Sequence, residues 1–437
     1  MSVQVFRASA LVSSNLNHDV FEDSFLAIEG SKIIDLGEWK KRPRKAKVIE
    51  LGNALIAPSL GNLHSHLPMV MFRGIAEDQS LEDWLFKTIL PLEGKFLSPS
   101  FVRAGTELAL CESIRNGVTN FCDMYLFEED VAAIASKFGV RGLFCQGISG
   151  FDSPDYGPWQ DSLEAAIKLT KKYANHARIK TGFGPHAAYS CEMETLKATA
   201  EAAKSLKASG MIHLSETEFE LAEAKKKFGR SPLAQIKASG LLGLEHLVLA
   251  HSIWLEESDY ADLKSPNLSL ALNTQCNAKL ASGMAPIPRF QQEKIRYCLG
   301  TDGAASNNNL DLFEEISFAA KIYRLETKHM TGLSRAEIFD AATIRTAEAL
   351  GLEKITGSLE PGKEADFIVI DLESSHLTPM TDAYSHLVYS VRGPDVRSTY
   401  VGGKPLMKDR KLIGVDEKKI RSRAQGLWIK MKKAIGR

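Results

Sequence analysis

The chain reads as an α/β protein, a (β/α)8 barrel carrying a small domain built from its two ends. Three observations point there. Eight apolar, strand-like runs alternate with helical stretches over about 300 residues. Both ends of the 437-residue chain have a different, strand-rich texture. No glycine-rich phosphate turn follows the first strand of the alternating region, which sets aside a doubly wound nucleotide-binding sheet.

The N-terminal region contains SFLAIEGSKII (Ser24–Ile34), two apolar runs around Glu29-Gly30-Ser31, which predict a hairpin. The basic run Lys40–Lys47 then reads as a solvated loop. From Ala54 the alternation begins. The expected strands are Ala54–Leu63, Val118–Met124, Gly142–Ile148, Ile179–Phe183, Met211–Leu214, Leu247–Ala250, Leu268–Leu272 and Ile295–Gly300. Between them, Phe101–Asn116, Ser162–Tyr173, Met193–Ala208 and Leu221–Phe228 place apolar residues at helical spacing. After Ile355 strands return, at Gly357–Leu372 and Ser398–Ile413, and a helix over Glu417–Ile435 closes the chain. The expected division is a small β domain from residues 1–57 and 356–437 and a barrel from 58–355.

Composition narrows the function. Lys+Arg and Asp+Glu are both 54, so formal net charge is zero, against a general nucleic-acid binder. No run approaches the length of a membrane-spanning helix, so no membrane partner is expected. The start lacks the pattern of a secretory signal, and the six cysteines are scattered without a C-x-x-C pair. A cytoplasmic enzyme with reduced thiols and a small-molecule substrate is the expectation, with a homo-oligomer left open.

The chemistry concentrates at strand ends. His64 and His66 lie in GNLHSH, and residues two apart on a strand point to one side. His186 follows the run ending at Phe183, His213 closes Met211–Leu214, His251 follows Ala250, and Asp302 follows Gly300. In a (β/α)8 barrel those ends converge on one mouth. Imidazoles with a carboxylate suit a divalent metal ion, Zn²⁺ or Fe²⁺ with Mn²⁺ as a further candidate, able to activate a water. Glu216, three residues after His213, is placed to shuttle protons. Glu93 follows the apolar Trp84–Leu90, and Trp84 itself offers an apolar wall or simple packing. The H-x-E with P-C-x-x-C pattern of base deaminases is absent, as is H-E-x-x-H.

Taken together, APSLGNLHSHLPMVMFRGIAEDQSLEDWLFKTILPLE (Ala57–Glu93), GPHAAY (Gly184–Tyr189), HLSET (His213–Thr217), Ala250-His251-Ser252, NAKLASGMAPIP (Asn277–Pro288) and GTDGAASNNNLDLFEE (Gly300–Glu315) resemble the amidohydrolase superfamily. The nearest branch is that of methylthioadenosine/S-adenosylhomocysteine deaminases and chlorotriazine hydrolases. The resemblance implies one metal ion on His64, His66, His213 and Asp302, a small β-sandwich beside the barrel, and hydrolytic deamination of an adenosine-like nucleoside. It implies Glu216, His251 and Asp302 as catalytic groups, Glu93 on the ribose hydroxyls, and His186, Glu216, Gln146, Ser306 and Trp84 against the substrate. One departure matters. S-adenosylhomocysteine deaminases typically carry an arginine where this chain has Gln146, and some have a second in the next loop, near the position of Gln160, where this chain has none. The substrate class therefore stays open to other heterocycles: an s-triazine losing chloride or alkylamine, or a guanine, pterin or cytosine-type base.

Overall fold

The computed structural model describes residues 3–328 and 330–435. Eight strands pair in chain order into one sheet: Leu60–Ser65, Val118–Tyr125, Arg141–Ile148, Ile179–Pro185, Gly210–Leu214, Leu247–His251, Leu268–Leu272 and Tyr297–Leu299. The ladders from the third strand to the eighth are all parallel. These strands are buried almost throughout, which is why they read as continuous apolar runs rather than alternating ones. The sheet closes on itself where the Asp302 amide donates to the His64 carbonyl at 3.0 Å. Gly300 makes that approach possible: a Cβ there would stand 2.7 Å from both the His64 nitrogen and Asn273 Oδ1.

A second sheet of nine strands draws on both chain ends. The expected hairpin is present, as Val20–Glu29 against Lys32–Glu38. The run expected as a single strand over Ala54–Leu63 is divided. Ala54–Pro58 pairs with the opening strand Gln4–Val12 and, antiparallel, with Phe367–Asp371. The first barrel strand begins only at Leu60. Pro58 has no N–H to carry the ladder on, which marks the break. Phe6, Phe367 and Tyr400 form this sheet's aromatic core, with Phe367 stacked on Tyr400 at 4.3 Å.

The chain forms two compact units. One comprises residues up to Asn62, Cys111–Asn120 and Asp311–Val415; the other comprises Leu63–Leu110, Phe121–Leu310 and Asp416 onward. The closing helix, Glu417–Ala434, thus belongs with the second unit rather than with the chain-end strands. Its ties explain this: Arg423 Nη1 meets Glu107 Oε2 at 2.5 Å, and Lys95 Nζ reaches the Ala434 carbonyl at 2.9 Å. All six cysteines are buried, and none forms a disulfide. Among the described residues, no helix is long and apolar enough to cross a membrane.

The expected helices occur at Pro99–Arg115, Trp159–Tyr173, Met193–Ser205 and Glu218–Phe228. The last one positions the site. Thr217 caps it, its side chain accepting from the Glu220 amide at 3.1 Å, and Gly229 ends it in the left-handed conformation. The strand bearing His213 therefore turns into a helix within a few residues, and Glu216 sits on that turn.

Candidate active site

Five of the side chains singled out in the sequence meet at the carboxyl ends of the barrel strands. His64 Nε2 and His66 Nε2 each lie 3.3 Å from Asp302 Oδ1, and His66 Nε2 lies 3.4 Å from His213 Nε2. The ring of His251 stacks on that of His213 with centroids 5.5 Å apart. His64, His66 and His213 each bring one ring nitrogen within 4.8 Å of the others, and His64, His251 and Asp302 form a second such group. Ser215, His251, Ser252 and Asp302 all adopt positive φ, between 49° and 71°. Such backbones are uncommon outside glycine, and their cost is met where strands must turn side chains into a mouth.

The outward nitrogens fix the tautomers. His66 Nδ1 faces the Met124 carbonyl, and His213 Nδ1 donates to the His186 carbonyl at 2.7 Å. His64 Nδ1 lies 3.3 Å from the Met211 thioether. With Nδ1 carrying the proton, each Nε2 presents a lone pair to the centre. Two lone pairs 3.4 Å apart, with a carboxylate beside them, are a poor arrangement without a cation between them. Burial lowers His64 to about 4 and His213 well below its usual value, which disfavours the charged form of both rings. Burial alone would raise Asp302, but the surrounding His64, His66 and His251 hold it well below the carboxylate range. Cys276 Sγ at 2.9 Å from Oδ2 and the Gly303 amide at 2.7 Å from Oδ1 orient that carboxylate.

Glu216 stands on the other side of His251, its Oε2 3.5 Å from His251 Nε2. Burial, then the charges of Asp302 and Glu82, push its carboxyl well above the ordinary value, which favours the protonated form. His251 Nδ1 donates to Asn277 Oδ1 at 2.9 Å, a closer contact than Asn273 Nδ2 at 3.3 Å. That leaves the Nε2 lone pair toward Glu216. Both groups line a cavity of about 1030 Å³, open to solvent, with His66, His213 and Asp302 in the same wall. A buried carboxyl whose protonated form is favoured, imidazoles and a ready-made cation cradle in one cavity suit acid-assisted attack by water.

Comparison with known proteins places this arrangement. Residues 55–406 match the model of the amidohydrolase family. The chain belongs to the amidohydrolase family. Its relatives include a 5-methylthioadenosine/S-adenosylhomocysteine deaminase of Syntrophus aciditrophicus, 38% identical over 91% of this chain and 90% of that protein. A 5′-deoxyadenosine deaminase of Methanosarcina barkeri is 39% identical over 92% of this chain and 91% of its own. The crystal structure of an adenosine deaminase from Xanthomonas campestris, with zinc bound, superimposes with a TM-score of 0.94 at 29% identity, covering 98% of both chains.

The rest of the cavity wall comes from helices and loops. Glu93, on the helix Leu90–Phe96, lines it, buried, accepting from Tyr125 Oη at 2.5 Å. Burial pushes Glu93 up to about 7 against the opposing effect of Tyr125, and the nearby Asp155 charge adds to the rise. Trp84, Ser306 and His186 also line the cavity. Ser306 Oγ is engaged by the Gly303 carbonyl at 3.0 Å, and His186 Nδ1 by Ser190 Oγ at 2.7 Å.

Gln146 departs from the expectation of a substrate contact. It is buried and absent from the cavity wall, whereas its neighbour Gly147 lines it. Side chains alternate along a strand, so Gln146 points to the opposite face. Its amide is fully committed there: Oε1 accepts from the Glu128 amide at 3.2 Å, and Nε2 donates to the Gly147 carbonyl at 3.0 Å and to Asp155 Oδ2 at 2.8 Å.

Several partners lay outside the sequence reading. Tyr125, Asn277, Cys276 and Glu220 each orient a site group, Glu220 Oε2 accepting from the Glu216 amide at 2.8 Å. Glu220 follows Glu216 by one helical turn, a spacing that could have flagged it; the others join the site only through the fold.

Proposed function

We propose that this chain is a metal-dependent aminohydrolase that deaminates an adenosine-like nucleoside and releases ammonia. The observation that carries the reading is the pairing of buried Glu216 with His251 beside the His64, His66, His213 and Asp302 cluster, in one cavity that Glu93 also lines. The names of the relatives support the substrate class.

His64, His66, His213 and Asp302 would hold the ion. Imidazole and carboxylate ligands suit Zn²⁺ first, with Fe²⁺ or Mn²⁺ as alternatives, and zinc is bound in the Xanthomonas relative. When bound, such an ion lowers the pKa of water toward about 7 and so supplies a nucleophile at neutral pH. Asp302 is placed to take the proton that water gives up, and the His251 Nε2 lone pair to accept a hydrogen bond from it. Glu216 holds its proton toward the ring nitrogen beside the amino-bearing carbon and makes that carbon electrophilic. Water adds, the exocyclic C–N bond breaks, and the leaving nitrogen departs as ammonia after gaining a proton, leaving a ring carbonyl. Glu93 is placed for the ribose hydroxyls, His186 and Ser306 for polar contacts, and Trp84 for an apolar wall.

The test is ammonia release by zinc-loaded protein from 5′-methylthioadenosine, 5′-deoxyadenosine and adenosine. Glu216→Gln should keep its metal and lose turnover by roughly a thousandfold. Ammonia from none of these nucleosides, or undiminished release by the variant, would reject the assignment.

A further inference from the structure

Resting on the nucleoside reading, the structure assigns a further selectivity to the Glu93 end of the cavity. We propose that it admits an uncharged, apolar 5′ substituent and rejects a carboxylate or phosphate there.

On that reading the ring lies by Glu216 and His251 and the ribose by Glu93, which leaves the 5′ substituent to the rest of the wall. The loop after the third barrel strand contributes Phe151, Ser153 and Pro154 to that wall, with Ile89 and Leu126. These are apolar side chains or short hydroxyls. Phe151 is 42% exposed, so it forms a rim rather than core packing.

The electrostatics point the same way. Glu93 is a buried carboxyl, and Asp155 stands close enough to raise it further. Asp155 accepts from neutral donors: Gln146 Nε2 at 2.8 Å, the Phe127 amide at 2.9 Å, Ser153 Oγ at 2.5 Å and the Tyr156 amide at 2.9 Å. No lysine or arginine stands in the cavity wall among the described residues. An anionic tail would therefore shed water beside the Glu93 carboxyl, with Asp155 behind the wall and no fixed cation to replace that water. A methyl or methylthio group instead gains contact with Phe151, Pro154 and Leu126. Gln146 contributes indirectly, since its amide holds Asp155 and the loop in place.

The experiment compares kcat/KM on zinc-loaded enzyme for 5′-deoxyadenosine and 5′-methylthioadenosine against S-adenosylhomocysteine and adenosine 5′-monophosphate. The neutral pair should be favoured by about a hundredfold, chiefly through KM. Phe151→Arg, a change at the exposed rim, should narrow that gap by about tenfold at low salt and less at high salt. Binding to Glu216→Gln, read by calorimetry, should follow the same order. Values of kcat/KM within threefold for charged and neutral tails would overturn this inference alone. Turnover of no nucleoside at all would reject the nucleoside reading and this inference with it.

Discussion

The two ends of the cavity are built on different principles. At one end, His64, His213, His251 and Asp302 sit on or just beyond barrel strands, and nearly every polar atom facing away from the centre has a named partner. At the other end, Glu93 stands on the helix Leu90–Phe96, and the wall comes from loops and from the wide-turn helix Asp83–Ile89. The strand-built end has little freedom, as reacting groups require. The loop-built end can vary without disturbing the barrel, as substrate choice requires.

If that division is right, substitutions at the strand end should damage chemistry, and those at the loop end should damage binding. The largest effect is expected from His213→Ala, which removes a cradle nitrogen: metal content, measured on purified protein, should fall sharply and turnover with it. Next, Asn277→Ala frees His251 Nδ1 and should cut kcat about 10- to 100-fold with metal content intact, as for other groups that orient site imidazoles. A matching fall in KM-dependent binding alone would place Asn277 on the wrong side of the comparison.

Glu93→Gln should raise KM about tenfold with a smaller change in kcat, the loss of one charge-assisted hydrogen bond. It also has a stability signature. Burial raises Glu93 from 4.5 to about 7, so the folded state holds a proton that the unfolded chain releases. The stability this contributes is fully present below pH 4.5 and declines as pH rises toward 7. Thermal melts from pH 4.5 to 7.5 should therefore fall less steeply for Glu93→Gln than for the parent; parallel slopes would contradict the burial argument. The smallest catalytic effect belongs to Gln146→Leu, which leaves the Glu128 amide and Asp155 Oδ2 each short of a partner. It should cost about 1–3 kcal/mol in a denaturation curve, with KM more affected than kcat.

Much of this was legible in the sequence, for a physical reason. Strands of a parallel barrel are buried on both faces and so appear as uninterrupted apolar runs, and the first polar residue beyond each run marks the mouth. That is how His64, His213, His251 and Asp302 could be picked out. The same double burial hides orientation. Along Arg141–Ile148 nearly every residue is buried, so nothing in the pattern says which face Gln146 takes. The break after Pro58 was hidden likewise, since Ala54–Pro58 and Leu60–Ser65 are both wholly buried and run together as text. Tyr125, Asn277 and Cys276 are separated by 26 or more residues from the groups they orient, and no local spacing announces such contacts.

The most direct measurement is ammonia release from 5′-deoxyadenosine by protein stripped with a chelator and then titrated with zinc. The account requires that stripping abolish turnover and that one equivalent of ion per chain restore it. Full activity in the stripped protein, or restoration requiring two ions, would contradict a single cation held by His64, His66, His213 and Asp302.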